Sequence, residues 1–198
     1  MESLLKDTSL YSDANFWIVA AIAYTVGCVP FALIVGYIGG IGDIRKLGSG
    51  NPGATNMARQ GGKKLGAITL LLDMAKGAVA VYIGRQFGYA TAAALFVVLG
   101  HCFSIILKFK GGKGVATTLG ALLVLYWPAG LTYLGAWLAI FAIWRISSLS
   151  ALIGIWLTTL VSIYLWYGNL SYLIFFFAVL ITARHKSNIK KLISGTES

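Results

Sequence analysis

Apolar residues fall in long runs along this chain, and polar residues gather between the runs. The first run, FWIVAAIAYTVGCVPFALIVGYIGG at 16–40, carries Pro30, which predicts a kinked helix. Runs at 65–84 and 90–107 follow. The next extends unbroken from Val115 to Trp144. Thirty residues rising about 1.5 Å each would make about 45 Å of helix, too long for one crossing of a hydrocarbon layer about 30 Å thick. The YWPAG stretch at 126–130 offers a break, so two helices are expected, 114–127 and 129–145. The last run, 149–183, is also too long, and YGN at 167–169 divides it into 149–166 and 170–184. The pattern therefore predicts an all-α integral membrane protein, with seven transmembrane helices in a single membrane-embedded domain over 1–198.

Composition supports the pattern. The chain is 58% hydrophobic and 11% charged, against about 25% charged in soluble domains. A net charge of +10 would suggest nucleic acid in a soluble chain. Here the basic residues sit in short segments between apolar runs, so membrane lipid is the expected surrounding and nucleic acid is not a partner. No small-residue cleavage site follows a leading apolar stretch, so the first run reads as a retained span. Cys28 and Cys102 lie inside apolar runs and read as core hydrophobes.

The positive charge also sets orientation. Thirteen of the sixteen lysines and arginines lie in alternate connections and the C-terminus: Arg45, Lys46, Arg59, Lys63 and Lys64; Lys108, Lys110 and Lys113; Arg145; and Arg184, Lys186, Lys190 and Lys191. The other connections hold only Arg85, and the N-terminal segment sets Glu2, Asp7 and Asp13 against Lys6. The excess of Lys and Arg on one side predicts the N-terminus outside and the C-terminus cytoplasmic. A five-span reading is the alternative, and it would place Arg145 outside. With seven spans, every polar segment converges on the cytoplasmic face.

Three segments carry candidate chemistry. LGSGNPGATNMARQGGKK, 47–64, sets glycines around Ser49, then Asn51, Asn56 and Arg59. It belongs to a connection of 24 residues, long for a plain loop. Backbone amides there suit an anion, and Arg59 suits a phosphate. KFKGGKGVAT, 108–117, is not a Walker A loop, but Lys110, Gly111, Gly112, Lys113 and Gly114 precede a helix start, where amides and charge favour phosphate. A second GGK at 61–63 is a faint echo of it. ARHKSNIKKLISGTES, 183–198, places His185 and Asn188 three apart on one helical face, among Arg184, Lys190 and Lys191. Arg145 and Ser148 lie in WRISSLS, a connection that reads equally as loop or site. Asp73 and Lys76, i and i+3 within the second span, predict a buried pair. His101 is alone on an apolar helix, where packing is the simpler role. The six acidic residues form no cluster for Mg²⁺, and two distant histidines with two membrane cysteines make no zinc site. A metal-free, basic, glycine-lined pocket for more than one anion is the expectation.

These segments resemble the bacterial acyl-phosphate:glycerol-3-phosphate acyltransferase (PlsY) family. GSGNPGATNMAR at 48–59, GHCFSIILKFKGGKGVAT at 100–117 and RHKSNIKKLISGTE at 184–197 look like its three motifs, in order, and the resemblance covers essentially the whole chain. One departure is Ser104, where the family has proline; it is expected to alter the helix locally. The resemblance implies transfer of a fatty acyl group from acyl phosphate to the 1-hydroxyl of glycerol 3-phosphate. The products would be lysophosphatidic acid and inorganic phosphate, in the first acylation step of phospholipid synthesis. It implies no cofactor and no metal, a site on the cytoplasmic face of the bacterial inner membrane, and functional coupling to an enzyme that generates acyl phosphate. By the same resemblance His185, Asn188, Ser49 and Arg59 are catalytic candidates. Asn51, Asn56, Lys110, Gly111, Gly112, Lys113, Gly114, Arg145, Ser148 and Arg184 are phosphate-binding candidates. Asp73, Lys76, His101 and Glu197 are supporting ones. The hydroxyl proton has two routes, His185 as base or a phosphate oxygen of the donor. A membrane transporter of an anionic or phosphorylated solute is the alternative function; it would show inverted repeats, and none is evident.

Overall fold

The computed structural model describes residues 13–165, 168 and 170–197, and every regular element among them is helical. In chain order these are α1 Ala14–Cys28, α2 Phe31–Ile38, α3 Ala54–Gln86, α4 Ala90–Cys102, α5 Val115–Leu125, α6 Trp127–Trp144, α7 Ser147–Tyr164, α8 Leu170–Arg184 and α9 Lys186–Ile193. A short 3₁₀ turn, Ile44–Lys46, lies between α2 and α3. The broken pair α1–α2, α3, α6 and α7 are long and apolar enough to cross a membrane, whereas α4, α5 and α8 are apolar but shorter. Helices of 11 to 15 residues reach only about 17–22 Å at about 1.5 Å per residue.

Most expected runs are present, with revised ends. The first breaks at Pro30, as expected of a residue that lacks an amide N–H. The second helix starts at Ala54, eleven residues before the expected 65, and passes through the GGKK stretch by bending at Gly62 (φ 87°, ψ 164°). Only glycine holds that angle without strain. The third ends at Cys102, not 107, so Ser104 lies past the helix and does not alter its geometry. The Tyr126 break is present. Of the break expected at 167–169, residues 167 and 169 lie outside the described residues, as do Glu2, Lys6 and Asp7.

Close backbone approach sets the packing. In α1, Phe16, Val19, Ala20, Ala23 and Gly27 recur at helical spacing and face α4. A Cβ on Gly27 would meet the Val97 carbonyl at 2.2 Å, and one on Gly100 the Tyr24 carbonyl at 2.2 Å. The α3–α5 seam repeats the device, with Gly77 against Thr117 and Gly120 against Met74. Small residues at membrane helix contacts give this kind of approach.

The break at Pro30 frees two carbonyls among buried apolar groups. The Ser104 hydroxyl donates to the Cys28 carbonyl at 2.8 Å, and Lys76 Nζ donates to the Val29 carbonyl at 2.9 Å. Lys76 also lies 2.9 Å from Asp73 Oδ1, both side chains being 3% exposed. His101 Nδ1 lies 3.6 Å from the same oxygen. The predicted pair is therefore a three-residue cluster that ties α3 to the α1–α2 break and to the end of α4.

Lys76→Met alone strands the Asp73 charge and should destabilise by about 3–5 kcal/mol. Asp73→Asn with Lys76→Met should recover most of that loss in thermal unfolding in detergent. Equal destabilisation of the single and double variants would show that pairing is not what holds the cluster.

Candidate functional site

A pocket of about 230 Å³ opens where α3, α5, α6 and α7 meet the chain's last segment. Its polar end gathers Ser49, Asn51, Thr55, Asn56, Arg59, Lys113, Gly114, Ser147, Ser148, His185, Asn188 and Glu197. Its other walls are Leu70, Met74, Leu119, Tyr133, Leu134, Trp137, Leu138 and Ala151, with Asp73 and His101 at their edge. Polar groups from all three motifs thus meet apolar walls in one space.

The first motif is built around Asn56, which is 2% exposed. Its Nδ2 donates to the carbonyls of Ile44 and Leu47, and its Oδ1 accepts from the Ser49 amide at 3.1 Å. Asn56 lines the pocket, but its amide group is already occupied in shaping the loop that presents Ser49. Thr55 Oγ1 and Ser147 Oγ lie 3.0 Å apart and join the first turns of α3 and α7 at the pocket.

The glycines of the second motif work differently from expectation. The amides of Gly111 and Gly112 donate to the carbonyls of Cys102 (3.2 Å) and His101 (3.1 Å), so neither is turned toward an anion. Their own carbonyls accept from Arg184, at 2.7 Å from Nη2 and 3.1 Å from Nε. The Arg184 guanidinium also lies 5.3 Å from the Phe103 ring centroid. A Cβ at Gly111 would meet the His101 carbonyl at 2.1 Å, and one at Gly112 the His101 ring at 2.2 Å. Glycine is needed here because the loop lies against the end of α4. Gly114, at φ 89°, then turns the chain into α5.

Arg184 therefore fixes the loop and does not line the pocket, and neither do Gly111, Gly112, Lys110 or Arg145. Lys110 and Arg145 are exposed. Arg145 ends α6 in a left-handed conformation. Lys76 faces a smaller space beside the Pro30 break.

One relay links the second and third motifs. Lys113 Nζ donates to Asn188 Oδ1, Asn188 Nδ2 donates to Glu197 Oε1 at 2.6 Å, and the Ser148 hydroxyl donates to the same oxygen at 2.8 Å. Burial lowers the Lys113 pKa to about 8, with Arg59 adding to the drop and Glu197 opposing it. Burial would raise the Glu197 carboxyl, but the hydrogen bonds from Asn188 and Ser148 and the Lys113 charge outweigh it and hold it below its usual value. His185 is 2% exposed. Its Nδ1 lies 2.8 Å from the Ile181 carbonyl, so Nδ1 carries the proton and Nε2 is left to accept. Burial, and then the Lys113 charge, lower its pKa to about 4.

Sequence reasoning missed Thr55 and the apolar walls, whereas Ser147 lies in the WRISSLS connection that reads equally as loop or site. Thr55 sits inside a motif that was singled out. Nothing in an apolar run marks Leu70, Tyr133 or Trp137 as pocket residues.

Residues 17–195 match the family described as glycerol-3-phosphate acyltransferase. The glycerol-3-phosphate acyltransferase of Rhodopseudomonas palustris (strain BisB5) is 49% identical over 183 residues, covering 89% of this chain and 92% of that protein. That of Bartonella henselae is 40% identical over 196 residues, covering 92% and 90%. The crystal structure of PlsY, an integral membrane glycerol 3-phosphate acyltransferase, in its glycerol 3-phosphate form superposes with a TM-score of 0.87. It is 34% identical, and the match covers 92% of this chain and 94% of that one. The lysophosphatidic acid form gives a TM-score of 0.85 at 33% identity.

Gly112→Ala would press a methyl group on the buried His101 ring, so it should cost about 1–3 kcal/mol by overpacking. A lowered midpoint of thermal unfolding checks this. An unchanged midpoint would show that the loop has slack against α4.

Proposed function

The chain belongs to the glycerol-3-phosphate acyltransferase family, and from that premise we propose that it transfers a fatty acyl group from acyl phosphate to the 1-hydroxyl of glycerol 3-phosphate. The products are lysophosphatidic acid and inorganic phosphate. In this reading the chain is a single domain of the bacterial inner membrane, with seven spans, the N-terminus outside and the pocket on the cytoplasmic face. The observation that carries it is one pocket with cations at one end, Lys113 and Arg59, and apolar walls from four helices at the other. Such a pocket suits phosphate at its polar end and the reacting end of an acyl chain against its apolar walls.

Attack by the glycerol hydroxyl on the acyl carbonyl forms the ester bond and breaks the bond from carbon to the phosphate oxygen. The hydroxyl proton leaves with the phosphate. Three features favour a phosphate oxygen over His185 as the proton acceptor. A histidine at about pKa 4 is a weak base at neutral pH. Its Nε2, as a neutral acceptor, is suited to orienting the hydroxyl. The leaving phosphate is already next to the proton it needs. Lys113 holds the charge of the departing phosphate, and Asn188 and Glu197 hold Lys113. Ser49 and Arg59, which face the same space, bind phosphate as well. Proximity and fixed charge supply the rate acceleration.

Purified protein should release phosphate from palmitoyl phosphate only when glycerol 3-phosphate is present, and should continue in EDTA. Release without the acceptor, or none at all, would overturn the reaction.

The charge on Lys113 disappears as pH rises through about 8, so activity should fall there. Glu197 raises the Lys113 pKa, so Glu197→Gln should move that alkaline limb to lower pH. A limb that does not move would remove Lys113 as its source.

A further inference from the structure

The segment between α4 and α5 begins with a closed turn, 104–110, before it reaches the glycines. The amides of Leu107 and Phe109 both donate to the Ser104 carbonyl, at 3.1 and 2.8 Å, and the Lys110 amide donates to the Leu107 carbonyl at 3.0 Å. The inner side of the turn is fastened: Ser104 and Leu107 are buried, and the Ser104 hydroxyl holds the Cys28 carbonyl. The outer side is bare. Ile105, Ile106 and Phe109 are 62%, 62% and 59% exposed, with Lys108 and Lys110 exposed beside them. Neither lysine has an ion-pair partner among the described residues.

The backbone gives this outer side a cost. Lys108 (φ 52°) and Phe109 (φ 62°) are consecutive left-handed residues. Glycine holds such angles without strain, and bulky residues rarely adopt them. The chain keeps a cation and an aromatic ring there, both turned away from the protein. Strain of this kind is retained where the side chains have a use, and here that use lies outside the chain.

Depth identifies what lies outside. Tyr89 begins α4 and Tyr126 ends α5, with Trp127 following and 65% exposed. Such aromatic residues mark a membrane–water boundary. From that boundary the 13 residues of α4 and the 11 of α5 reach only about 20 and 17 Å into a hydrocarbon layer about 30 Å thick. The turn therefore lies at the opposite edge of the hydrocarbon and not beyond it. Lysine stems from that depth reach the headgroups.

We propose that the 104–110 turn is an interfacial anchor that binds anionic phospholipid. Ile105, Ile106 and Phe109 sit among the acyl chains, and Lys108 and Lys110 hold the headgroup phosphates. The turn continues directly into Gly111, Gly112 and Lys113, so the anchor also fixes the depth of the phosphate end of the pocket. The proposal rests on the membrane-spanning fold and is independent of the reaction.

The test uses full-length protein in phosphatidylcholine vesicles. These carry either bromine-labelled phosphatidylglycerol or, in equal proportion, bromine-labelled phosphatidylcholine. Phe109→Trp adds an indole whose emission, taken as the difference from wild type, is quenched by bromine in contact with it. Ile106→Trp is a second probe on the same turn. The anionic label should quench about twice as strongly as the zwitterionic one, or more. Lys108→Gln with Lys110→Gln should make the two labels equal, as should about 0.5 M salt, where charge is screened within a few ångströms. Equal quenching with both lysines present overturns the lipid preference, and a preference that survives their removal places it elsewhere. No quenching by either label overturns the anchor and leaves the turn to water or to an acidic protein.

Discussion

Hydrocarbon offers no hydrogen bonds, so every interruption of a helix at membrane depth must be answered from within the chain. This constraint organises the molecule. The break at Pro30 takes the Cys28 and Val29 carbonyls out of the helical ladder; Ser104 meets the first, and Lys76 with the Phe31 amide meets the second. The turn from α4 to α5 turns two glycine carbonyls inward, and Arg184 meets those. At the far end of α5, Arg85 donates to the carbonyls of Val124 and Leu125. Each answer joins two distant parts of the sequence. The breaks are thus also the tie points that bring three motifs to one pocket.

The same constraint sorts the positive charge. Many cations lie near the candidate site in sequence, but three have other duties or other places. Lys76 is neutralised by Asp73 within the helices, Arg184 braces the loop, and Arg145 is exposed at the end of α6. Lys113 is left facing the pocket, with Arg59 exposed at its rim. Glu197 is then understandable as a partner. A partly buried ammonium without an anion nearby would lose its proton more readily, and Glu197 opposes that loss through Asn188.

The helical character of the apolar runs and two of the breaks in them were legible in the sequence, because Pro30 and YWPAG are strong punctuation. Helix ends were less so. The α3 start at Ala54 was hidden by Gly61 and Gly62, which read as loop yet sit at a bend that the helix resumes beyond. The α4 end at Cys102 was hidden because Ile105 to Leu107 is apolar, although Ile105 and Ile106 are exposed in a turn. The polar side of the site was legible as three motifs, because polar residues in an apolar chain need a reason. Their individual duties were not: whether Asn56 or Arg184 meets a ligand or a carbonyl depends on contacts tens of residues away. The apolar walls left no trace, since leucines facing lipid and leucines lining a pocket, such as Leu70 and Leu138, are alike in sequence.

The pocket's size and its proton economy belong together in the proposed reaction. An acyl phosphate carries its own activation, and its leaving phosphate accepts the proton that the attacking hydroxyl loses. The protein then needs no proton store, and a neutral His185 with Nε2 as acceptor is sufficient to aim the hydroxyl. What remains for the protein is to hold two anions against their mutual repulsion at one short distance from an ester-forming carbon. Lys113 and Arg59 set in a small space do that, and a larger pocket would only loosen the geometry on which the rate depends.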